Sequence, residues 1–142
     1  MQQIWQLLYR SVQAYEMETA DMVKLLFDAR EFNRENAITG LLLHHGGRFM
    51  QLIEGEQHEI QRLYRRIAAD SRHRDVVLEV NAPADRRLFP QWGMGYADAP
   101  EMDGVPALAG AESERDAMTH LRVLSREHMS AMRLMQFLKD DR

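Results

Sequence analysis

The 142-residue chain is 45% hydrophobic and 28% charged, with a net charge of -4 and a pI near 5.8. One domain of that size buries roughly two-thirds of its unfolded surface, so a packed core is expected and a disordered or fibrous chain is excluded. The acidic balance argues against nucleic-acid binding through a bulk field. The lack of cysteine removes disulfides, thiolate nucleophiles and Cys-based metal sites, and with neither a signal peptide nor an apolar run long enough for a bilayer, a soluble cytoplasmic protein is expected.

Ile4 to Ser11 alternates as a strand with Trp5, Leu7, Tyr9 and Ser11 on one face. Thr19 then reads as an N-cap, and Met22, Leu26, Ala29 and Asn33 follow at helical spacing, which sets Asn33 at the end of a buried stripe. Residues 38–45 and 48–54 flank Gly46-Gly47 as the two strands of a hairpin. In the second of them Phe49, Gln51 and Ile53 share one face, while Met50, Leu52 and Glu54 share the other. A second amphipathic helix runs from Gln57 to Asp70 on Ile60, Leu63, Tyr64, Ile67 and Ala68. Asp75 to Val80 reads as a fourth strand, and Trp92 to Ala97 as a fifth.

This β-α-β-β-α-β order with an extra strand predicts an α+β, ferredoxin-like fold: a five-stranded mixed sheet with two helices on one face. The Ala-, Pro- and Gly-rich stretch 99–112 reads as a loop. Ser113 and Ser125 each cap a tail helix, one bearing Met118, Leu121 and Leu124, the other Met129, Met132, Met135 and Leu138. These helices are expected to cover the opposite sheet face, with a Met-rich partner surface as the alternative. The expected division is a domain over residues 1–98 and a loop with a helical extension over 99–142.

Gln51 interrupts an apolar strand, and leaving a buried amide unmatched costs about 1–3 kcal/mol per group. Taken singly, Gln51 is better explained as an edge-strand or surface amide, and Tyr9, Asn33 and Trp92 have equally plain readings as a core phenol, a helix C-terminal residue and a packed indole. Together they are more informative. Strands one and three are central neighbours in a split βαβ sheet, so Tyr9 and Gln51 can face each other below the helices, with Asn33 above. A phenol, two amides and an indole around one gap suit a planar hydrogen-bonding heterocycle. Arg65, Arg66, Arg72, His73 and Arg74 at the end of the second helix form a charge run that is either a solvated face or a hold for a phosphate tail.

Other chemistries have less support. His44 and His45 are adjacent on a strand and point to opposite faces, so they cannot chelate one metal together. There is no G-x-S-x-G elbow, Walker A loop or G-x-G-x-x-G fingerprint, and the segment after the first strand, "YRSVQAYEME", lacks the glycines of an acylphosphatase-like phosphate loop.

Five blocks in order, "LLYRS", "FNRENAITGLLL", "GGRFMQLIEGE", "IAADSRHRDV" and "RRLFPQWGMGYAD", resemble the BLUF domains, blue-light sensors that use FAD. The resemblance spans about Ile4 to Tyr96. It implies a flavin ring between the two helices, with Tyr9 hydrogen-bonded to Gln51, Gln51 near the flavin N5/O4 edge and Asn33 on its N3/O4 side. It implies further that Leu26, Ile38 and Phe49 pack around the ring, with Ala29 and Phe32 along the same helix, and that Arg66, Asp70, Arg72 and His73 lie by the ribose and phosphates.

In that family, light drives electron and proton transfer from the tyrosine, the glutamine rearranges, and a fifth strand, here with Trp92 and Met94, relays the change. Phe32 departs from the Asn or His that relatives often carry, and Ala29 from a serine. Nothing after Tyr96 is long enough for a cyclase or phosphodiesterase. The implied protein is a non-enzymatic photoreceptor acting through self-association, as a homo-oligomer, or on a separate downstream protein. A cofactor-free ferredoxin-like interaction module is the alternative.

Overall fold

A computed structural model of the chain describes residues 4–90, 95–98 and 128–139. The elements in order are β1 (Ile4–Gln13), α1 (Thr19–Glu35), β2 (Thr39–His45), β3 (Arg48–Glu56), α2 (Gln57–Ala68), β4 (His73–Ala84), β5 (Gly95–Asp98) and α3 (Met129–Lys139). Four strands make the antiparallel sheet of the α+β fold in the order β4-β1-β3-β2, and β5 continues it at the far edge of β2, running parallel to that strand. Trp92 and Met94, and the helix expected after Ser113, lie outside the described residues.

Alternation along the strands divides the core in two. On the helix side, Leu7, Tyr9, Phe49 and Ile53 of the sheet pack with Met22 and Leu26 of α1 and Ile60 and Leu63 of α2. On the other side, Leu8, Leu41, Leu43, Met50 and Leu52 meet Leu88, Phe89 and the α3 residues Ala131, Leu134, Met135 and Phe137. Burying each such Leu, Ile or Phe side chain contributes roughly 1.5–3 kcal/mol, which gives both faces of the sheet a stake in its position.

Local chemistry sets the boundaries. Gly46 and Gly47 both have positive φ, 59° and 75°, as a type I′ hairpin turn requires. At Gly40 a Cβ would come within 2.0 Å of the Leu52 carbonyl oxygen, so only glycine permits the β2–β3 approach there. The carboxylate of Glu56 caps α2 by accepting from the N–H groups of His58 and Glu59.

Four expectations need correction. The N-cap of α1 is Glu18 rather than Thr19, because the Asp21 carboxylate reaches back to accept from the Glu18 N–H at 2.9 Å. The α2 helix stops at Ala68 instead of Asp70, whose carboxylate turns to the Arg72 backbone N–H.

β4 extends from His73 to Ala84, well beyond residues 75–80, because it pairs with β1 from Gln13↔His73 to Ile4↔Ala84 through two register shifts. As the sheet edge it tolerates Pro83. On α3 the buried stripe is Ala131, Leu134, Met135 and Phe137, while Met129 and Met132 face outward at 64% and 55% exposure. The small Ala131 seats the helix against the sheet; of the expected methionine stripe Met135 is buried, whereas Met129 and Met132 are not.

Candidate functional site

Tyr9 and Gln51 are direct cross-strand partners in the β1–β3 ladder, on the face covered by α1 and α2. The phenol O–H donates to Gln51 Oε1 at 2.5 Å, and both side chains are buried. Burial pushes the Tyr9 phenol far above its ordinary value, and the negative charge of Asp70 and the neighbouring Tyr64 add to the rise. Tyr9 is therefore a protonated donor throughout the neutral range. An amide whose oxygen is held by the phenol directs its nitrogen elsewhere.

These two side chains line a cleft between α1 and α2. Its α1 wall carries Ala29, Phe32 and Asn33; Phe49 comes from β3, and Arg66, Asp70, Arg72 and His73 come from the end of α2 and the start of β4. Of the residues expected at the site, Leu26 and Ile38 are wholly buried in the adjoining apolar cluster and do not line the cleft. Leu25, Asp28, Leu42, Leu63 and Ile67 line it as well. The helical stripe drawn through Leu26 missed Leu25 and Asp28, which sit one and two positions to its sides. Leu42 could have been found as the β2 partner of Gln51.

The mouth is more ordered than a charge run suggests. The Asp70 carboxylate accepts from the Arg72 backbone N–H at 2.9 Å and from the Arg72 guanidinium at 2.6 Å, and Asp28 lies 3.9 Å from the same guanidinium. The hydrogen bonds from Arg72 hold the Asp70 carboxyl below the usual range. His73 has both ring nitrogens engaged: Nε2 meets the Ile67 carbonyl at 2.6 Å and Nδ1 meets Ser11 Oγ at 2.7 Å. A carbonyl only accepts, so Nε2 carries a proton and donates to Ile67. His73 thus ties the end of α2 to β1. Across the cleft, the guanidinium groups of Arg62 and Arg66 lie 5.0 and 4.4 Å from the centre of the Phe32 ring.

His44 packs on Phe49 and His45 on Phe137, on opposite sheet faces, and among the described residues no cluster of metal ligands forms. No described helix is long and apolar enough to cross a membrane.

A split βαβ sheet whose two central strands pair a phenol with an amide, below a cleft with apolar walls and a charged mouth, defines a binding domain for a planar heterocycle. The family described as BLUF, "Sensors of blue-light using FAD", matches residues 4–95, and the chain belongs to it; this stretch is a flavin-binding blue-light sensor domain. Among curated relatives, photoactivated adenylate cyclase subunit beta of Euglena gracilis is 33% identical over 109 residues, which is 76% of this chain and 13% of that protein. The blue light- and temperature-regulated antirepressor BluF of Escherichia coli is 32% identical over 92 residues, 65% of this chain and 23% of the relative. The chain thus spans a small part of these relatives, and the match to the cyclase is confined to its sensor portion.

Among solved structures, the dark-state BLUF protein BlrB superposes with a TM-score of 0.67 at 34% identity, covering 72% of this chain and 77% of that one. Klebsiella pneumoniae BlrP1, solved with FMN and cyclic diGMP, gives 0.77 at 28% identity over 96% of this chain and 35% of its own. BLUF domains signal to effector domains or partner proteins.

The lining fits a flavin on its own chemistry. Leu25, Leu42, Phe49 and Leu63 offer apolar walls for ring faces, the Gln51 and Asn33 amides offer donors and acceptors for a ring edge, and Arg66 and Arg72 stand at the mouth for an anionic tail.

Proposed function

We propose that this chain is a blue-light photoreceptor that binds FAD and signals by rearranging the Tyr9–Gln51 hydrogen bond, with no catalytic output of its own. When bound, the flavin absorbs blue light and supplies the excited-state oxidant. Tyr9, a buried phenol kept protonated by its surroundings, would give one electron to the bound, excited flavin and its O–H proton along the bond to Gln51, and would take both back as the dark state recovers. Gln51, freed from that donor, turns or tautomerises and presents a different hydrogen-bonding group to the flavin edge. Asn33 holds the opposite side of that edge, and Ala29, Phe32 and Phe49 shape the ring space, with Leu26 and Ile38 behind them. Arg66 and the Asp70–Arg72 pair would hold the ribose and phosphates, with His73 walling that end of the cleft.

The observation that carries this reading is the 2.5 Å Tyr9 O–H to Gln51 Oε1 bond on the cleft floor. The change at Gln51 passes to the fifth strand through Trp92 and Met94, and from residues 1–98 to the extension 99–142. Light alters either self-association in a homo-oligomer or the grip on a separate protein.

A dark-minus-light absorption spectrum of the purified protein tests the reading. The expected result is flavin absorption with a reversible red shift. A protein that stays colourless after refolding with FAD overturns it.

A further inference from the structure

Glu54 is a fully buried carboxylate on β3, three residues from Gln51 and on the opposite sheet face, and flavin chemistry gives it no task. Its two oxygens accept from consecutive backbone N–H groups: Oε1 from Leu88 at 2.6 Å and Oε2 from Phe89 at 2.9 Å. The Gln6 amide and the Thr39 hydroxyl stand at 3.4 Å from the same two oxygens. Arg87 closes the clasp from outside: Nη1 donates to Thr39 Oγ1 at 2.9 Å and to the Glu54 carbonyl at 3.1 Å, and Nη2 to the Ala37 carbonyl at 2.6 Å. Burial pushes the Glu54 carboxyl up, and the two backbone donors, Gln6 and Arg87 work against that rise. A core position that costs this much desolvation, beside Met50 and Leu52, is not explained by packing.

The clasp grips the chain immediately before Pro90, Trp92 and Met94. Leu88 and Phe89, at 2% and 1% exposure, are packed into the same cluster as Ala131, Leu134, Met135 and Phe137 of α3. The strand that carries Gln51 into the cleft therefore also holds, through Glu54, the root of the segment leading to β5.

We propose that Glu54 is a positioning residue for signal output: by gripping the Leu88 and Phe89 amides it pins the root of the 91–98 segment to β3. A change at Gln51 then moves that segment instead of being absorbed by sliding of residues 85–90. This rests on the reading that the fifth strand is the output route. The physical requirement is a fixed point, because a displacement is transmitted along a chain only if one end cannot follow it.

The test uses the full, flavin-loaded chain as wild type, Glu54→Gln and Arg87→Gln, and measures the light-induced red shift together with amide hydrogen exchange in dark and light. In Glu54→Gln the near-isosteric amide keeps one acceptor oxygen and turns N–H donors toward the second backbone N–H. The red shift is expected to form as in wild type, with dark exchange at Leu88 and Phe89 rising roughly tenfold. The light-minus-dark exchange difference over 91–98 is expected to fall to less than about a third of wild type. Arg87→Gln, which leaves the buried carboxylate in place, is expected to give the same pattern at smaller amplitude. A merely structural Glu54 would change the dark exchange and leave the light difference intact, and that result overturns the inference. Should Glu54→Gln not fold, an unchanged light difference in Arg87→Gln overturns it equally. A wild-type protein with a normal red shift but no light difference over 91–98 overturns the output route, and this inference with it.

Discussion

Tyr9 and Gln51 are register partners on the two central strands, and the phenol donates to the amide oxygen at 2.5 Å. Tyr9→Phe removes that donor without changing ring size. The flavin is expected to stay bound while the light-induced red shift is abolished, and the dark protein is expected to lose about 1–3 kcal/mol of stability because a buried acceptor loses its partner. Difference spectroscopy and denaturant melts check the two parts separately, and Gln51→Leu should lose the shift in the same way.

The same burial has a spectroscopic consequence. The folded-state phenol of Tyr9 is raised far above its ordinary value of 10.0, so no tyrosinate signal should arise from it while the protein is folded. Its loss on titration should coincide with unfolding. Comparing the ultraviolet titration of wild type with Tyr9→Phe checks this: the two curves should overlay below the unfolding pH and separate only at the transition.

Asp70 predicts the acid limit at the cleft mouth. Arg72 holds its folded-state carboxyl below the ordinary 3.8, so the unfolded chain binds that proton first. The contribution is therefore fully present above about 3.8 and lost as pH falls through the lower folded value. Asp70→Asn should lower the melting temperature at neutral pH and flatten its fall in acid, measured by melts from about pH 6 to about pH 2.

Gly40→Ala would drive a methyl to 2.0 Å from the Leu52 carbonyl oxygen, which is backbone and cannot turn aside. The expected cost is about 2 kcal/mol or more. Because β2 and β3 would have to separate next to Leu42 and Gln51, flavin retention should fall along with stability; both are read from one thermal melt followed by flavin fluorescence.

Leu134 is wholly buried where α3 meets the sheet. Leu134→Ala should destabilise by about 2–5 kcal/mol, whereas Met132→Ala, on the exposed side of the same helix, should change stability by less than about 0.5 kcal/mol. Paired denaturant curves decide it.

Much of this protein is legible in the sequence because its strands alternate and its turns carry their own chemistry. The Gly46-Gly47 hairpin, the opposed faces of β3 and the convergence of Tyr9, Asn33 and Gln51 all follow from a period of two and from the pairing order of a split βαβ sheet. The errors came where long-range contacts decide. The α3 stripe runs through Ala131 and Leu134 beside Met135, because those residues join the buried cluster of Leu41, Leu43, Met50 and Leu52, a choice that methionine spacing only half encodes. The length of β4 follows from a ladder with β1 far away in sequence.

By itself the chain's pattern determined the order of the described elements, the opposed faces of β1 and β3 and the meeting of Tyr9, Asn33 and Gln51 at the cleft, since each depends on local periodicity and on the pairing order of the strands. Only the tertiary structure decided that the Gln51 oxygen faces the phenol, that Arg72 is bound to Asp70 at the mouth, and that Glu54 holds Leu88 and Phe89. A hydrogen bond depends on distance and angle between groups brought together from distant parts of the chain, and those are fixed by packing, which periodicity cannot express.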